Sequence, residues 1–94
     1  MIKEDIVNKI SQRTGQSRYS VTQVIDALLS EITEALVNGE KVQFSGFGTF
    51  EPKEKAARTG RNPRKNEAVH IPARIMPVFT AGKNLKSAVV REIE

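Results

Sequence analysis

The side chains best suited to chemistry are seven cations gathered between Glu51 and Ile75: Lys53, Lys55, Arg58, Arg61, Arg64, Lys65 and Arg74. Only three acids, Glu51, Glu54 and Glu67, share that stretch, so it holds the whole of the chain's net charge of +4. Positive charge segregated in this way is the footprint of a protein that meets a polyanion. In its middle stands Arg61-Asn62-Pro63, where a rigid apolar ring sits among bases. Read by itself, Pro63 is a turn-former that breaks the segment midway.

Other chemistries find little to work with. His70 is the sole histidine and has no obvious acid dyad near it, which suits a surface or ribbon-packing role rather than catalysis. The chain has no cysteine, so disulfides and thiolate metal ligands are excluded and a reducing cytosol is the expected compartment. We therefore expect no enzyme, no catalytic residue, no metal, no cofactor and no small-molecule substrate. No apolar run approaches the roughly 18 residues that cross a bilayer, and Met1-Ile2-Lys3-Glu4-Asp5 does not open like a signal peptide. The basic stretch from Lys53 to Arg74 contains no Phe, Tyr or Trp, so it lacks the stacking platform of single-strand binders.

The elements that must carry these cations follow from hydrophobic periodicity. Ile6, Val7 and Ile10 form an apolar stripe on a helix from Lys3 to Thr14, which Gly15 ends in a left-handed conformation. Ser17 suits the N-cap of a second helix, with Ser20 and Gln23 as an alternative capping box. That helix should run from about Arg18 to Asn38, because Val21, Val24, Ile25, Leu28, Leu29, Ile32, Ala35 and Leu36 keep one face apolar. After Gly39 the period becomes two. Lys41 to Phe44 reads as a strand, Gly46-Phe47-Gly48 as a tight connection using positive φ at either glycine, and Thr49-Phe50-Glu51 as the returning strand.

All four prolines, Pro52, Pro63, Pro72 and Pro77, follow Phe50, and proline is confined to strand edges and bulges. The stretch with the cations therefore reads as a two-stranded ribbon, all edge, turning near Gly60 and Asn62-Pro63. Ile75, Pro77 and Phe79 lead back to the body, and Gly82 opens a last helix over roughly Lys83 to Arg91 with Leu85, Ala88 and Val89 inward. If about 25 residues project as an arm, the remaining 70 or so form a body too small to stand without a staple or partner. Cysteines and metal clusters being absent, a partner copy is expected, joined through Phe44, Phe47, Phe50 and Phe79.

The run Gly46-Phe47-Gly48-Thr49-Phe50, followed by Ala56-Ala57-Arg58-Thr59-Gly60-Arg61-Asn62-Pro63, resembles the signature of the bacterial HU and integration-host-factor family. The likeness extends to Glu34-Ala35-Leu36, Gly39-Glu40-Lys41-Val42 and the segment from Phe79 through Ala81-Gly82-Lys83 to Ala88-Val89. It implies an α+β fold: an intertwined homodimer with a helical base, a three-stranded antiparallel saddle and one protruding β-ribbon arm per chain. One domain over 1–94 is expected, with a helical hairpin and first strands over 1–50, the arm over 51–75, and a return strand and C-terminal helix over 76–94.

The resemblance also implies non-specific binding and bending of double-stranded DNA through the minor groove, compacting nucleoid DNA in the cytoplasm. That mechanism is the one the family is known for among minor-groove architectural proteins. Pro63 would be the wedge and Asn62 its neighbour, with Arg58, Arg61, Arg64 and Lys65 along the groove or its phosphates. Lys53, Lys55 and Arg74 would hold the root of the arm to the backbone, and Lys3, Lys83 and Lys86 would meet phosphates on the flanks. Arg64-Lys65-Asn66 departs from the Gln-Thr-Gly common in the family, adding two charges. Arg74-Ile75 is nearer the integration-host-factor style, which leaves site-specific bending, a viral or mobile-element homologue, and a heterodimer with a paralogue as alternatives.

Overall fold

The computed structural model describes residues 1–62 and 67–93, with backbone alone at positions 61 and 62. Its elements, in chain order, are α1 (Lys3–Thr14), α2 (Arg18–Val37), β1 (Val42–Phe44), β2 (Gly48–Lys55), β3 (Arg58–Asn62), β4 (Glu67–Ile71), β5 (Arg74–Ala81) and α3 (Lys83–Val89). The fold is α+β, as expected. The chain divides into two compact units, Met1–Glu34 and Ala35–Glu94.

In the first unit, α1 and α2 are delimited by local chemistry. The Asp5 carboxylate accepts a hydrogen bond from the Ile2 backbone N–H at 2.8 Å, adding negative charge to the first turn of α1. Gly15 closes α1 at φ 75°, its N–H donating to the Ser11 carbonyl at 2.9 Å. Ser17 is the cap of α2: its Oγ accepts from the Ser20 N–H at 3.1 Å, so the Ser20–Gln23 alternative is not used. Lys3 Nζ meets Asp26 Oδ1 at 2.8 Å and ties the start of α1 to α2. Val7 and Val21 are the buried apolar side chains of the described residues, and Val24, Leu28 and Leu29 are 68, 44 and 50% exposed.

In the second unit, β1, β2 and β5 form an antiparallel sheet in the order β1-β2-β5, and β3 and β4 form a separate two-stranded ribbon. The β2–β5 ladder runs from Gly48 opposite Ala81 to Lys55 opposite Arg74. It stops at Ala56-Ala57 and Pro72-Ala73, then resumes as β3–β4 with Arg58 opposite Ile71. The predicted arm is thus two ladders in series rather than one continuous hairpin. Pro72 falls in the interruption, so it occupies no paired edge position, contrary to expectation. Pro52 stands directly opposite Pro77. An antiparallel ladder accepts that pairing only where neither residue is asked to donate across it, the non-hydrogen-bonded type of site.

The two glycines flanking Phe47 play different roles. Gly46 has φ 80°, as predicted for the turn. Gly48 does not take positive φ; it begins β2, and a Cβ there would lie 2.5 Å from the Phe79 ring and 2.8 Å from the Thr80 carbonyl oxygen. The need is close approach, not handedness. At the far end α3 stops at Val89, two residues short of the predicted Arg91, and Val90 is extended.

Gly48→Ala is expected to destabilise the protein by about 2–3 kcal/mol, since the obstructing atoms include backbone and a packed ring. Gly39→Ala, at φ 80° in open space, carries only left-handed strain and should cost about 1–2 kcal/mol. Urea titration of the two variants checks the order; equal costs would contradict the steric reading of Gly48.

Candidate nucleic-acid interface

Directly opposed residues of an antiparallel pair share a face, so the register sorts the β1-β2-β5 sheet into two surfaces. One carries Val42, Phe44, Phe50, Pro52, Phe79, Pro77 and Ile75, with Glu54 opposite Ile75 at the arm end. The other carries Gln43, Thr49, Thr80, Glu51, Lys53, Lys55 and Arg74, with Val78 and Met76 among them. The phenylalanines and the cations are separated by the thickness of one sheet.

The apolar face is built around its aromatics. Phe50 and Phe79 lie 4.7 Å apart between ring centroids, Phe47 and Phe79 5.8 Å, and Phe44 meets Phe50 edge-on at 6.4 Å. These are favourable tilted and T-shaped arrangements. The cluster is nonetheless uncovered: Phe44 is 36%, Phe79 41% and Ile75 72% exposed. The four predicted core phenylalanines therefore come together, but one chain does not enclose them.

On the opposite face, Lys53 and Lys55 are exposed and Arg74 is half-buried across from Lys55. Lys53 Nζ lies 3.3 Å from Glu51 Oε1, a pair that period-two alternation makes legible once the strand is assigned. An exposed pair of this kind is worth little, so Lys53 can leave it for a phosphate at small cost. Where the ladder breaks, Lys55, Arg58 and Arg74 border a concavity floored by Ala56, Met76 and Pro77. Among the described residues, the Nη1 of Arg74 is buried without a hydrogen-bond partner.

Arg58 is exposed at the first position of β3. Positions 58 and 61 are an odd number apart along that strand and so belong to opposite faces of the ladder. Arg61 and Asn62 lie in β3, while Pro63, Arg64 and Lys65 lie outside the described residues. Lys83 and Lys86 are exposed on α3, three residues apart and hence neighbours on its surface. Lys3, at the start of α1, is engaged by Asp26. Nothing in the local pattern announces that ion pair, because its partners are 23 residues apart. His70 is exposed opposite Thr59. Among the described residues no cluster of His, Cys, Asp or Glu could hold a metal, and no helix is long and apolar enough to cross a membrane.

A family model described as "Bacterial DNA-binding protein" matches residues 1–90. The DNA-binding protein HU of Geobacillus stearothermophilus is 47% identical over 89 residues, covering 95% of this chain and 99% of its own. Among solved structures, the HU–DNA cocrystal from Anabaena has a TM-score of 0.88 at 38% identity, covering 98% of this chain and all of that one. HU from Thermotoga maritima has a TM-score of 0.68 at 31% identity, covering 96% of this chain and all of its own.

Both members of the Lys3–Asp26 pair are about half exposed. Asp26→Asn should therefore change folding stability by less than about 1 kcal/mol. Chemical denaturation at low and high salt is the check; a larger, salt-insensitive loss would mean the pair is structural.

Proposed function

Because this chain belongs to the bacterial DNA-binding protein family, we propose that it binds and bends double-stranded DNA as an architectural homodimer. The observation that carries the reading is the register of β2 and β5. It sets Lys53, Lys55 and Arg74 on one face of the sheet and the phenylalanines on the other. The cationic face meets DNA phosphates, and the apolar face is closed by a second protomer. Residues 1–94 act as one functional domain, at work on nucleoid DNA in the cytoplasm.

Each arm follows the minor groove. Lys53, Lys55 and Arg74 hold its root to the backbone, and Arg58 and Arg61, on opposite faces of the ribbon, reach different strands of the duplex. Arg64 and Lys65 add phosphate contacts, as Lys3, Lys83 and Lys86 do on the flanks. Pro63, beside Asn62, is the wedge that unstacks a base step; a rigid ring loses little conformational freedom on insertion. Unstacking costs a few kcal/mol, which phosphate contacts on the bent duplex offset. Minor-groove readout is degenerate and the arm offers no base-reading helix, so sequence preference is weak and easily deformed DNA is favoured.

Pro63→Ala should reduce bending, measured by energy transfer between end-labelled duplexes, more than it reduces affinity; unchanged bending would remove the wedge. Arg58→Ala with Arg61→Ala should lower affinity on every duplex and flatten the salt dependence by about one unit per lost phosphate contact. An unchanged slope would place those arginines off the DNA. Sedimentation of the free protein should return a dimer, and a monomer would undo the two-arm arrangement.

A further inference from the structure

The C-terminal helix α3 has only seven residues, too few to persist on its own propensity. Its N-cap is Gly82, which offers no side-chain acceptor. The first-turn amides are satisfied from elsewhere: the Gly46 carbonyl oxygen accepts from the Asn84 N–H at 3.0 Å and the Leu85 N–H at 3.2 Å. The adjoining Phe47 carbonyl accepts from the Gly82 N–H at 2.7 Å. The turn between β1 and β2 is thus the cap of a helix more than thirty residues later in the chain. The approach is close enough that a Cβ on Gly82 would lie 2.8 Å from both C and O of Gly46 and 2.9 Å from C of Phe47. Gly82 itself has φ −83°, open to any residue, so contact with the turn is what demands glycine there.

We infer that this backbone cap, admitted by Gly82, is the positioning device for Lys83 and Lys86, fixing both ammonium groups relative to the cationic face of β2 and β5. Gly46, Phe47 and Gly82 are positioning residues; they act on DNA only through the two lysines. The inference rests on the proposed phosphate contacts of Lys83 and Lys86. An uncapped α3 frays, and each lysine must then be ordered when DNA binds, which weakens the contact without removing charge.

A double-mutant cycle on duplex affinity, with the full-length protein, separates this role from general stability. Gly82→Ala should weaken binding about fivefold, the scale of a lost helix cap. In a Lys83→Ala, Lys86→Ala background the same substitution should change affinity less than about twofold, there being nothing left to position. Equal losses in both backgrounds would overturn the inference while leaving the lysine contacts standing. No loss from the double lysine variant would instead overturn the lysine contacts themselves. Asn84→Ala keeps the backbone donor and should bind like the unaltered protein; a fivefold loss there would shift the role to the side chain and overturn the backbone cap. Should Gly82→Ala fail to fold, amide exchange of the unaltered protein decides: protected Asn84 and Leu85 amides support the cap, and unprotected ones overturn it.

Discussion

Burial is the constraint on which this structure depends. Val7 and Val21 are enclosed, yet phenylalanines, leucines and isoleucines across the two compact units stay a third or more exposed. A chain with cysteine could have stapled itself, and one with a cluster of ligands could have folded around a metal. In the proposed homodimer the apolar surface of a second copy is the remaining shelter. The association proposed above is therefore a condition of folding as much as of function, and stability becomes a function of protein concentration.

The same scarcity explains why the sheet keeps its phenylalanines and its cations on separate faces. With one surface committed to aromatic contact, period-two alternation leaves the other surface free, and the cations occupy it. A one-residue slip of β2 against β5 would turn Lys53 and Lys55 toward the phenylalanines and strand both apolar and charged groups. Register is thus selected twice, by burial on one side and by charge on the other. Gly48 reinforces it, since the Phe79 ring occupies the space any side chain would need there.

Much of this was legible in the residues. The helices announced themselves through apolar spacing, Gly15 and Ser17 through their terminal chemistry, and the arm through its concentrated charge. What escaped were features set by contact between distant segments. The sequence Gly46-Phe47-Gly48 suggests a tight turn with positive φ at either glycine, but one glycine serves conformation and the other yields space to Phe79. Ala56-Ala57 carries no breaker signal, so the interruption of the ladder shows only opposite Pro72-Ala73. The Lys3–Asp26 pair and the capping of α3 by the Gly46 carbonyl join positions that no local window contains. Of the candidate site, the root of the arm and its charge were readable. The separation of its cations onto particular faces required the register.

The opposed prolines at 52 and 77 bear on a hazard outside DNA altogether. β5 is an edge strand, and β2 beyond Phe50 has no β1 partner, so the stem of the arm is open on either side. Open ladders recruit strands from other molecules and seed cross-β fibrils, above all where many copies crowd together. At a non-hydrogen-bonded pair the missing donors are the outward ones, so each edge lacks an amide where an incoming strand would seek one. The arm proposed to follow a groove in DNA thus carries, in its own stem, a guard against zipping onto its own kind.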